Sequence, residues 1–524
     1  TMVDVVLYSI VGLVVGGLLM VACGVFVIQM QHPDDNNMAW LPKLIVLAGL
    51  YLACAVVLML PFDASMSQTC DVDPNCSAIS VLASVWMALF VAIGIMSLVL
   101  IPFAYFWYET DDEEGFVSRL GTAVCWSIVN AFVFIALLLA MYMTSGFVDL
   151  RITVLEPWLV APGTPDVNGD IKTVNTNIAA AAIGFFDPSL DKTPAWEDVK
   201  NGYASYAIQT IRTSWMVYIL ALLSFLGWCL MTIFAGIGMV SLPMDMISAW
   251  YNRPRPIDLK QFAEKKLQLK KRCEELIAVG KETKDKFKTR PNRFKETRFT
   301  NKFKKMVIDL EDEMSVLNMC YKKNEINPLI PWFNLIGGIF CAVITISWWL
   351  QLILEVFLAG LLGPYLSSIF TSLSGAFPLF GIVAYGVFAF YILIACIKGS
   401  ITFAGRFFLI SMHPMKLNGT MMNSFLFNVA LILLCSISCV QLCARAFKGF
   451  AHSSAISQLF VTQVEYLRYF SWFYSSQVPI FYTLLMFISL FQLIYALVCM
   501  CCCAKQQAET VEDAMKSLRR ERDT

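Results

Sequence analysis

Residues 251–328 read YNRPRPIDLKQFAEKKLQLKKRCEELIAVGKETKDKFKTRPNRFKETRFTNKFKKMVIDLEDEMSVLNMCYKKNEINP, and they decide the fold because lipid cannot hold them. They carry 21 of the 39 Lys and Arg but 12 of the 39 Asp and Glu, a local surplus of 9 in a chain of zero formal net charge. Phe303, Met306, Val307, Leu310, Met314 and Leu317 recur at steps of three and four, which lays them along one side of a helix. Leu259, Phe262, Leu269, Cys273, Leu276 and Ile277 form a weaker stripe upstream. Thr289, Arg290 and Pro291 separate the two, and proline stops a helix. The pattern predicts an antiparallel helical hairpin whose arms of roughly 30 residues reach about 45 Å at ~1.5 Å rise per residue.

The sequence on either side of this block is membrane. With 58% hydrophobic residues, 15% charge and a mean hydropathy of +0.65 over 524 residues, a soluble globule is excluded. Apolar runs lie at 3–30, 41–61, 81–108, 120–145 and 213–244, then at 329–360, 378–397, 424–443 and 479–503. The first run is too long for a signal-peptide core and follows Asp4 rather than a basic patch, so it reads as a true span. The fold class is therefore all-α: a polytopic membrane protein with nine transmembrane helices, five plus four, and a cytosolic helical hairpin between the fifth and sixth. Its parts are 1–250 with outer loop 147–212, the hairpin at 251–328, 329–503 with outer loop 447–478, and a cytosolic tail at 504–524.

Positive charge sets the expected orientation. With the N-terminus extracytosolic and the C-terminus cytosolic, the inner side takes Lys43, Arg119, Lys398, Arg406 and Lys416, the hairpin flanks Arg253, Arg255, Lys322 and Lys323, and the basic tail. The short outer loops hold Lys448 and Arg468, with Arg445 at the border. Cysteine usage agrees: Cys70 and Cys76 lie in the first outer loop, close enough to bridge in an oxidising compartment, whereas Cys273 and Cys320 of the hairpin stay reduced. A disulfide is the favoured reading there, with two unpaired thiols as the alternative. Cys499, Cys501, Cys502 and Cys503 fall at the inner end of the last span, where acylation and plain interfacial packing both suit them, and metal binding suits them less. Most other cysteines read as small hydrophobes within spans.

Two outer segments have more content. Residues 147–212 read as short helices broken at Pro188 and Pro194, and 447–478 carries Tyr466, Tyr469, Phe470, Trp472, Phe473 and Tyr474. Together they form a small cap whose aromatic residues suit the lipid interface better than an apolar ligand.

Chemistry is scarce. His32, His413 and His452 sit on separate loops, without an HExxH pair, a CxxC motif or a glycine-rich phosphate loop, so nothing supports a metal site, a cofactor, an ATPase or a protease. Glu355 is the best candidate for an ionisable residue in a span, but it lies nine residues past the span's centre, about 13 Å, near the edge of a core ~30 Å thick. An interfacial carboxylate is the preferred reading. Asn130, Asn334, Asn428, Gln441 and Gln492 are placed to bond between helices. Asp63 and Asp245, each two residues after a proline, read as ends of their helices at opposite faces.

Short stretches carry a resemblance. Gln31-His32-Pro33-Asp34-Asp35 leading to Pro42-Lys43, and Leu60-Pro61-Phe62-Asp63, resemble the lipocalin-interacting membrane receptor family within the limb-region membrane protein group. Ile101-Pro102-Phe103-Ala104 with Phe106-Trp107-Tyr108-Glu109 is similar to the same family, as is His413-Pro414-Met415-Lys416 with 423–428; these last also resemble the related lysosomal cobalamin transport escort proteins. The resemblance runs over most of the chain, leaving the outer loops and the tail unmatched. It implies an endocytic receptor for a lipocalin-like ligand, or a lysosomal protein assisting vitamin export, but assigns no residue a role. For His32, Pro33 and Asp34, and for His413-Pro414, shaping tight inner turns is the simpler account.

The expected function is a receptor or adaptor that binds ligand or partner on its outer face and cytosolic trafficking machinery through the hairpin, whose tip at 281–305 holds eleven Lys or Arg against three acids. A solvated face is the plainer account of that run. The alternative is a transporter-associated or lipid- or cobalamin-translocating protein of the endolysosome, which requires a polar passage lined by residues such as Asn334, Glu355 and Asn428. An enzyme acting on lipid has least support, because no nucleophile and base are paired. Expected partners are membrane lipid and a lipocalin-like or vitamin-carrying ligand, with no nucleic acid. Expected locations are the plasma membrane, endosome or lysosome. Asn418-Gly419-Thr420 fits a glycan acceptor on a cytosolic loop, so mass spectrometry of the protein from mammalian cells is expected to find Asn418 unmodified; a glycan there inverts the topology.

Overall fold

The computed structural model describes residues 2–32, 35, 40–70, 78–110, 115–155, 204–251, 253, 257–289, 293–321, 329–354, 358, 364–403, 406–407, 410–411, 415, 419–460, 464, 467–468, 470–474 and 480–506. Among these are nine helices long and apolar enough to cross a membrane, five before the charged block and four after it. The first group is α1 (Met2–Met30), α2 (Trp40–Cys70), α3 (Ala78–Ile95) continued through a π turn into α4 (Ile101–Glu109), α5 (Phe116–Ser145) and α6 (Trp215–Tyr251). The charged block is α7 (Leu259–Thr289) and α8 (Arg293–Tyr321). Then come α9 (Leu329–Leu352), short α10 (Tyr365–Ala376), α11 (Pro378–Thr402), α12 (Met422–Ala446), short α13 (Ala455–Leu459) and α14 (Phe470–Tyr474), and α15 (Ile480–Gln506). The chain divides into two compact units, Thr1–Met239 with Ile344–Ser489 and Val240–Val343 with Leu490–Thr524.

Proline shapes these helices without ending them where expected. α2 runs about two and a half turns past Pro61, and α6 about two turns past Pro243, so Asp63 and Asp245 lie inside helices rather than at their ends. Tertiary packing overrides the missing N–H: Ala64, Ser65 and Ser67 are buried beyond Pro61, and beyond Pro243 Met246 and Ile247 press on Gly337 and Gly338 of α9. Pro102 is accommodated differently. The π turn Met96–Leu100 widens the helix just ahead of it, and Ser97 Oγ donates back to the Ile93 carbonyl at 2.8 Å.

In the first unit α12 is the central post: most of its residues are buried, whereas α5 buries only Ala123, Ser127, Leu138, Tyr142 and Ser145. Small residues let its neighbours come close. Gly49 of α2 faces Val429, where an added Cβ would sit 2.7 Å from Cγ1; a Cβ on Gly227 of α6 would strike the Leu434 carbonyl. α6 and α11 cross through a glycine pair: a Cβ on Gly238 would meet the Ala395 carbonyl, and one on Gly399 the Phe234 carbonyl. Cys435, Cys439 and Cys443 are buried along α12, with Cys439 Sγ 3.8 Å from Cys396 Sγ of α11 and 3.7 Å from Met231 Sδ, packing as small hydrophobes.

The ends of segment 147–212 are strands, not helices. β1 (Phe147–Leu155) pairs antiparallel with β2 (Ala204–Arg212), from Phe147 opposite Arg212 to Leu155 opposite Ala204. The reason is legible: Val148, Leu150, Ile152 and Val154 alternate with Asp149, Arg151 and Thr153, a period of two. Residues 156–203, with Pro188 and Pro194, lie outside the described residues. The two cap segments do meet, for Val148 bridges to Leu467 and the Arg468 N–H donates to the Phe147 carbonyl at 2.8 Å. Phe470 and Tyr474 are buried and Trp472 is exposed. A second strand pair, β3 (Arg406–Phe407) and β4 (Ile410–Ser411), is two residues long.

The second unit holds the charged hairpin. Its seam is Leu276, Val279 and Met306 with Phe303, Val307 and Leu310, and Phe303 lies against Gly280. Phe262 stacks on Tyr321 at 4.3 Å, and Arg272 pairs with Glu313 at 3.4 Å. No member of the downstream stripe is exposed: Met306 and Leu317 are buried, and Phe303, Val307, Leu310 and Met314 are half-buried. In the upstream stripe Leu259, Cys273 and Ile277 are exposed, because the contact follows Leu269, Leu276 and Val279 instead.

Replacing Gly238 by Val should destabilise the protein by about 3 kcal/mol by overpacking the α6–α11 crossing, whereas Gly121→Ala, which meets nothing within 4 Å, should be neutral or stabilising by up to ~1 kcal/mol. Thermal unfolding in detergent followed by intrinsic fluorescence measures both.

Candidate functional site

The motif stretches converge on the two ends of α12. At its N-terminal end, the α1–α2 connection pairs with the residues leading into α12: the His32 N–H donates to the Thr420 carbonyl at 3.0 Å, and the Thr420 N–H donates to the Met30 carbonyl at 3.1 Å. That pairing delivers Asp35, which is buried. Its Oδ2 accepts the Met422 N–H at 3.0 Å and its Oδ1 accepts the Tyr108 hydroxyl at 2.9 Å. A carboxylate at the first turn of a helix satisfies an orphan N–H and faces the positive end of the dipole. Beside it, Asn423 Nδ2 donates to Glu109 Oε1 at 2.9 Å. Met415 is buried. His32 and Asp35, Tyr108 and Glu109, and Thr420, Met422 and Asn423 are therefore tied into one knot.

At the C-terminal end of α12, on the opposite face of the bundle, Asp63 is 0% exposed. Four donors meet its carboxylate: Ser67 Oγ at 3.0 Å, Trp86 Nε1 at 2.9 Å, and the N–H groups of Ala455 and Ile456 at 3.1 and 3.0 Å. The last two open α13, so Asp63 of α2 caps a helix nearly 400 residues away in the chain, joined by Ser454, whose Oγ accepts the Ser457 N–H. Pro61 packs 3.2 Å from where a Cβ on Gly386 would sit, which places the turn ahead of Asp63 against α11.

Between the two knots, buried amides join helices. Gln441 Oε1 accepts from Trp228 Nε1 at 2.8 Å and from Ser224 Oγ, and Ser438 Oγ donates to the Ser224 carbonyl at 2.8 Å. Gln351 Nε2 donates to the Ala446 carbonyl at 2.8 Å, while its Oε1 accepts the Leu366 N–H at 2.8 Å, linking the end of α12 to the start of α10. Thr345 Oγ1 donates to the Met239 carbonyl at 3.0 Å.

The remaining candidates distribute unevenly. Asn428 is buried and donates to the Ser424 carbonyl of its own helix, Asn334 is half-buried in α9, and Asn130 is exposed. Pro33, Asp34, Glu355, His413, Pro414, Lys416 and Cys76 lie outside the described residues, as do the side chains of Cys70, Cys499, Cys501, Cys502 and Cys503. Among the described residues no group of three His, Cys, Asp or Glu is arranged to hold a metal. Trp86 and Gln351 are partners that sequence reasoning did not single out; both are polar-tipped residues within apolar runs, and only their spatial neighbours distinguish them.

The family of LMBR1-like membrane proteins matches residues 8–327, more than half of the chain. The chain belongs to that family. This LMBR1-like protein is 30% identical over 482 residues to a LIMR family protein of Dictyostelium discoideum, covering 89% of this chain and 92% of that one. It is 30% identical over 484 residues to a LIMR family protein of Oryza sativa and 29% identical over 490 residues to one of Arabidopsis thaliana, with 90% of this chain and 92% of each relative covered. No solved structure matches. As an LMBR1-like protein it is an integral membrane protein, and the aspartate knots lie on motif segments by which the family resemblance is recognised in this sequence.

In the LMBR1-like chain the two aspartates should respond differently to Asn. At Asp35 an amide keeps both bonds, its oxygen on the Met422 N–H and its nitrogen on the Tyr108 oxygen, so Asp35→Asn should cost about 1 kcal/mol or less. At Asp63 every partner donates, so Asp63→Asn turns an N–H against an N–H and should cost about 3 kcal/mol or more. Parallel thermal melts of the two variants separate these outcomes.

Proposed function

We propose that this LMBR1-like protein is a multi-pass receptor or adaptor, which takes a ligand or partner on the face bearing β1 and β2 and engages trafficking machinery through α7 and α8. The carrying observation is the use of polar groups along the central post. Ser438, Gln441 and the Asp35-capped start of α12 are committed to bonds with other helices, and Asn428 to its own. A translocation path along α12 would have to break these bonds. The hairpin is built the opposite way: a thin apolar seam holds two long helices, and Lys265, Lys266, Lys270, Lys271 and Arg272 stand exposed for an acidic protein surface. The distribution of Lys and Arg supports a cytosolic hairpin and C-terminus with an extracytosolic N-terminus, in the plasma membrane or the endolysosome. No catalytic role is proposed.

Reconstituted into liposomes, the protein should give neither lipid flipping nor cobalamin flux, and in cells Lys265→Glu with Lys266→Glu should slow internalisation of surface-labelled protein several-fold at unchanged expression. Flux in either liposome assay would replace this reading with the transporter one.

A further inference from the structure

The positive charge of the hairpin is concentrated where it leaves the membrane. Residues 253–272 hold eight Lys or Arg against two acids, Asp258 and Glu264, and they begin two residues after α6 ends at Tyr251. Aromatic residues at this exit mark a membrane boundary. Trp250 and Trp332 of α9 have ring centroids 6.3 Å apart, Tyr251 is 75% exposed, and the Arg253 guanidinium lies 4.6 Å from the Trp250 ring. The Ile257 N–H donates to the Cys320 carbonyl at 3.3 Å, so α7 starts beside the end of α8 and both arms are rooted near that boundary.

The first half of α7 has two distinct sides. Phe262, Leu269 and Leu276 turn toward α8, and helical spacing puts Lys265 and Arg272 with them, where Arg272 meets Glu313. Leu259, Ala263, Lys266, Leu267 and Lys270 recur at steps of three and four on a second side, with Lys260 and Lys271 along its margin. All seven are exposed, Leu259 at 62% and Leu267 at 56%. Lys270 lies 3.9 Å from Glu274 and Lys266 lies 5.5 Å from the Phe262 ring. Both lysines stay open to solvent, and exposed contacts of this kind are too weak to hold an ammonium away from an anionic surface.

We propose that this second side of α7 docks on an anionic phospholipid leaflet at the α6 exit, with Leu259 and Leu267 entering the headgroup layer and Lys260, Lys266, Lys270 and Lys271 meeting its phosphates. A helix side that mixes exposed leucine with lysine is matched by an interface that is apolar underneath and negative on top. A basic cluster directly after a span is held within reach of such a leaflet by the chain itself. A second copy of the hairpin would set like charge against like, and a soluble anion would leave the leucines in water. The site does not rest on the receptor reading.

Hydrogen–deuterium exchange of the full-length protein tests it in nanodiscs, which expose both bilayer faces, made of phosphatidylcholine alone or with one-third phosphatidylserine. In the wild type, amides of 259–272 should exchange about fivefold more slowly in the phosphatidylserine discs. Replacing Lys260, Lys266, Lys270 and Lys271 together by Gln should abolish that difference, and Leu259→Ser with Leu267→Ser should at least halve it. Lys265→Gln with Arg272→Gln, on the α8 side, should preserve it. Exchange in phosphatidylcholine discs checks that each variant keeps its hairpin, and the leucine pair decides if the lysine set loosens the arm. Equal exchange of the wild type in the two discs would overturn the proposal and leave this side of α7 to an acidic protein. Protection that survives the lysine or leucine changes, or that is lost with Lys265 and Arg272, would overturn it as well.

Discussion

A carboxylate with no exposed surface must have its charge met on the spot, and Asp63 shows how this fold does so. Four donors from α2, α3 and the start of α13 surround it, and each would otherwise be a buried polar group with nothing to bond. The constraint is mutual: the aspartate needs the helix end, and the helix end needs the aspartate. Asp35 repeats the arrangement at the other end of α12 with a lighter hand, one backbone N–H and one tyrosine hydroxyl. The central helix is thereby clamped by α1–α2 and α4 at its start, and near its finish by the segment that Asp63 ties to α2.

Between the clamps, apolar burial cannot drive assembly, since lipid tails are as apolar as leucine. Close approach and hydrogen bonds take over. Gly238 and Gly399 bring α6 and α11 together at backbone distance, Gly227 does the same for α6 and α12, and Gln441, Ser224 and Trp228 bond across that second contact. The cost of such bonds is specificity of sequence: a methyl group at the crossing glycines has nowhere to go. This is the physical basis for the close helix packing of the first unit.

The charged hairpin obeys the other rule, that of water. Its seam is three buried residues and a few half-buried ones, and the long cationic side chains stand away from it. A helix pair of this kind is held by an amphipathic stripe and modest ion pairs such as Arg272 with Glu313, which makes its surface free to vary and to be recognised.

Much of this architecture could be read directly from the residues. Nine apolar runs, the five-plus-four division and the α8 stripe follow from composition and period, because the bilayer dictates length and a helix dictates spacing. The motif segments 31–35, 60–63, 106–109, 413–416 and 423–428 were recognisable, but not the bonds that bring Asp35 to Tyr108 and Met422, Glu109 to Asn423, and Asp63 to Ala455. Sequence spacing carries no information on which aspartate reaches which helix end across nearly 400 residues, and a proline two residues before Asp63 even suggested a helix stop that packing overrides. The alternation in 148–154 was present in the chain, but 147–212 read as short helices broken at Pro188 and Pro194, so the strand pair emerged only with its partner in place. What the sequence determined is which segments enter lipid and which stay in water, since that is a property of each segment alone. What only the tertiary structure decided is where each buried polar group finds its partner, because a hydrogen bond is a property of two segments and neither one encodes the other's position.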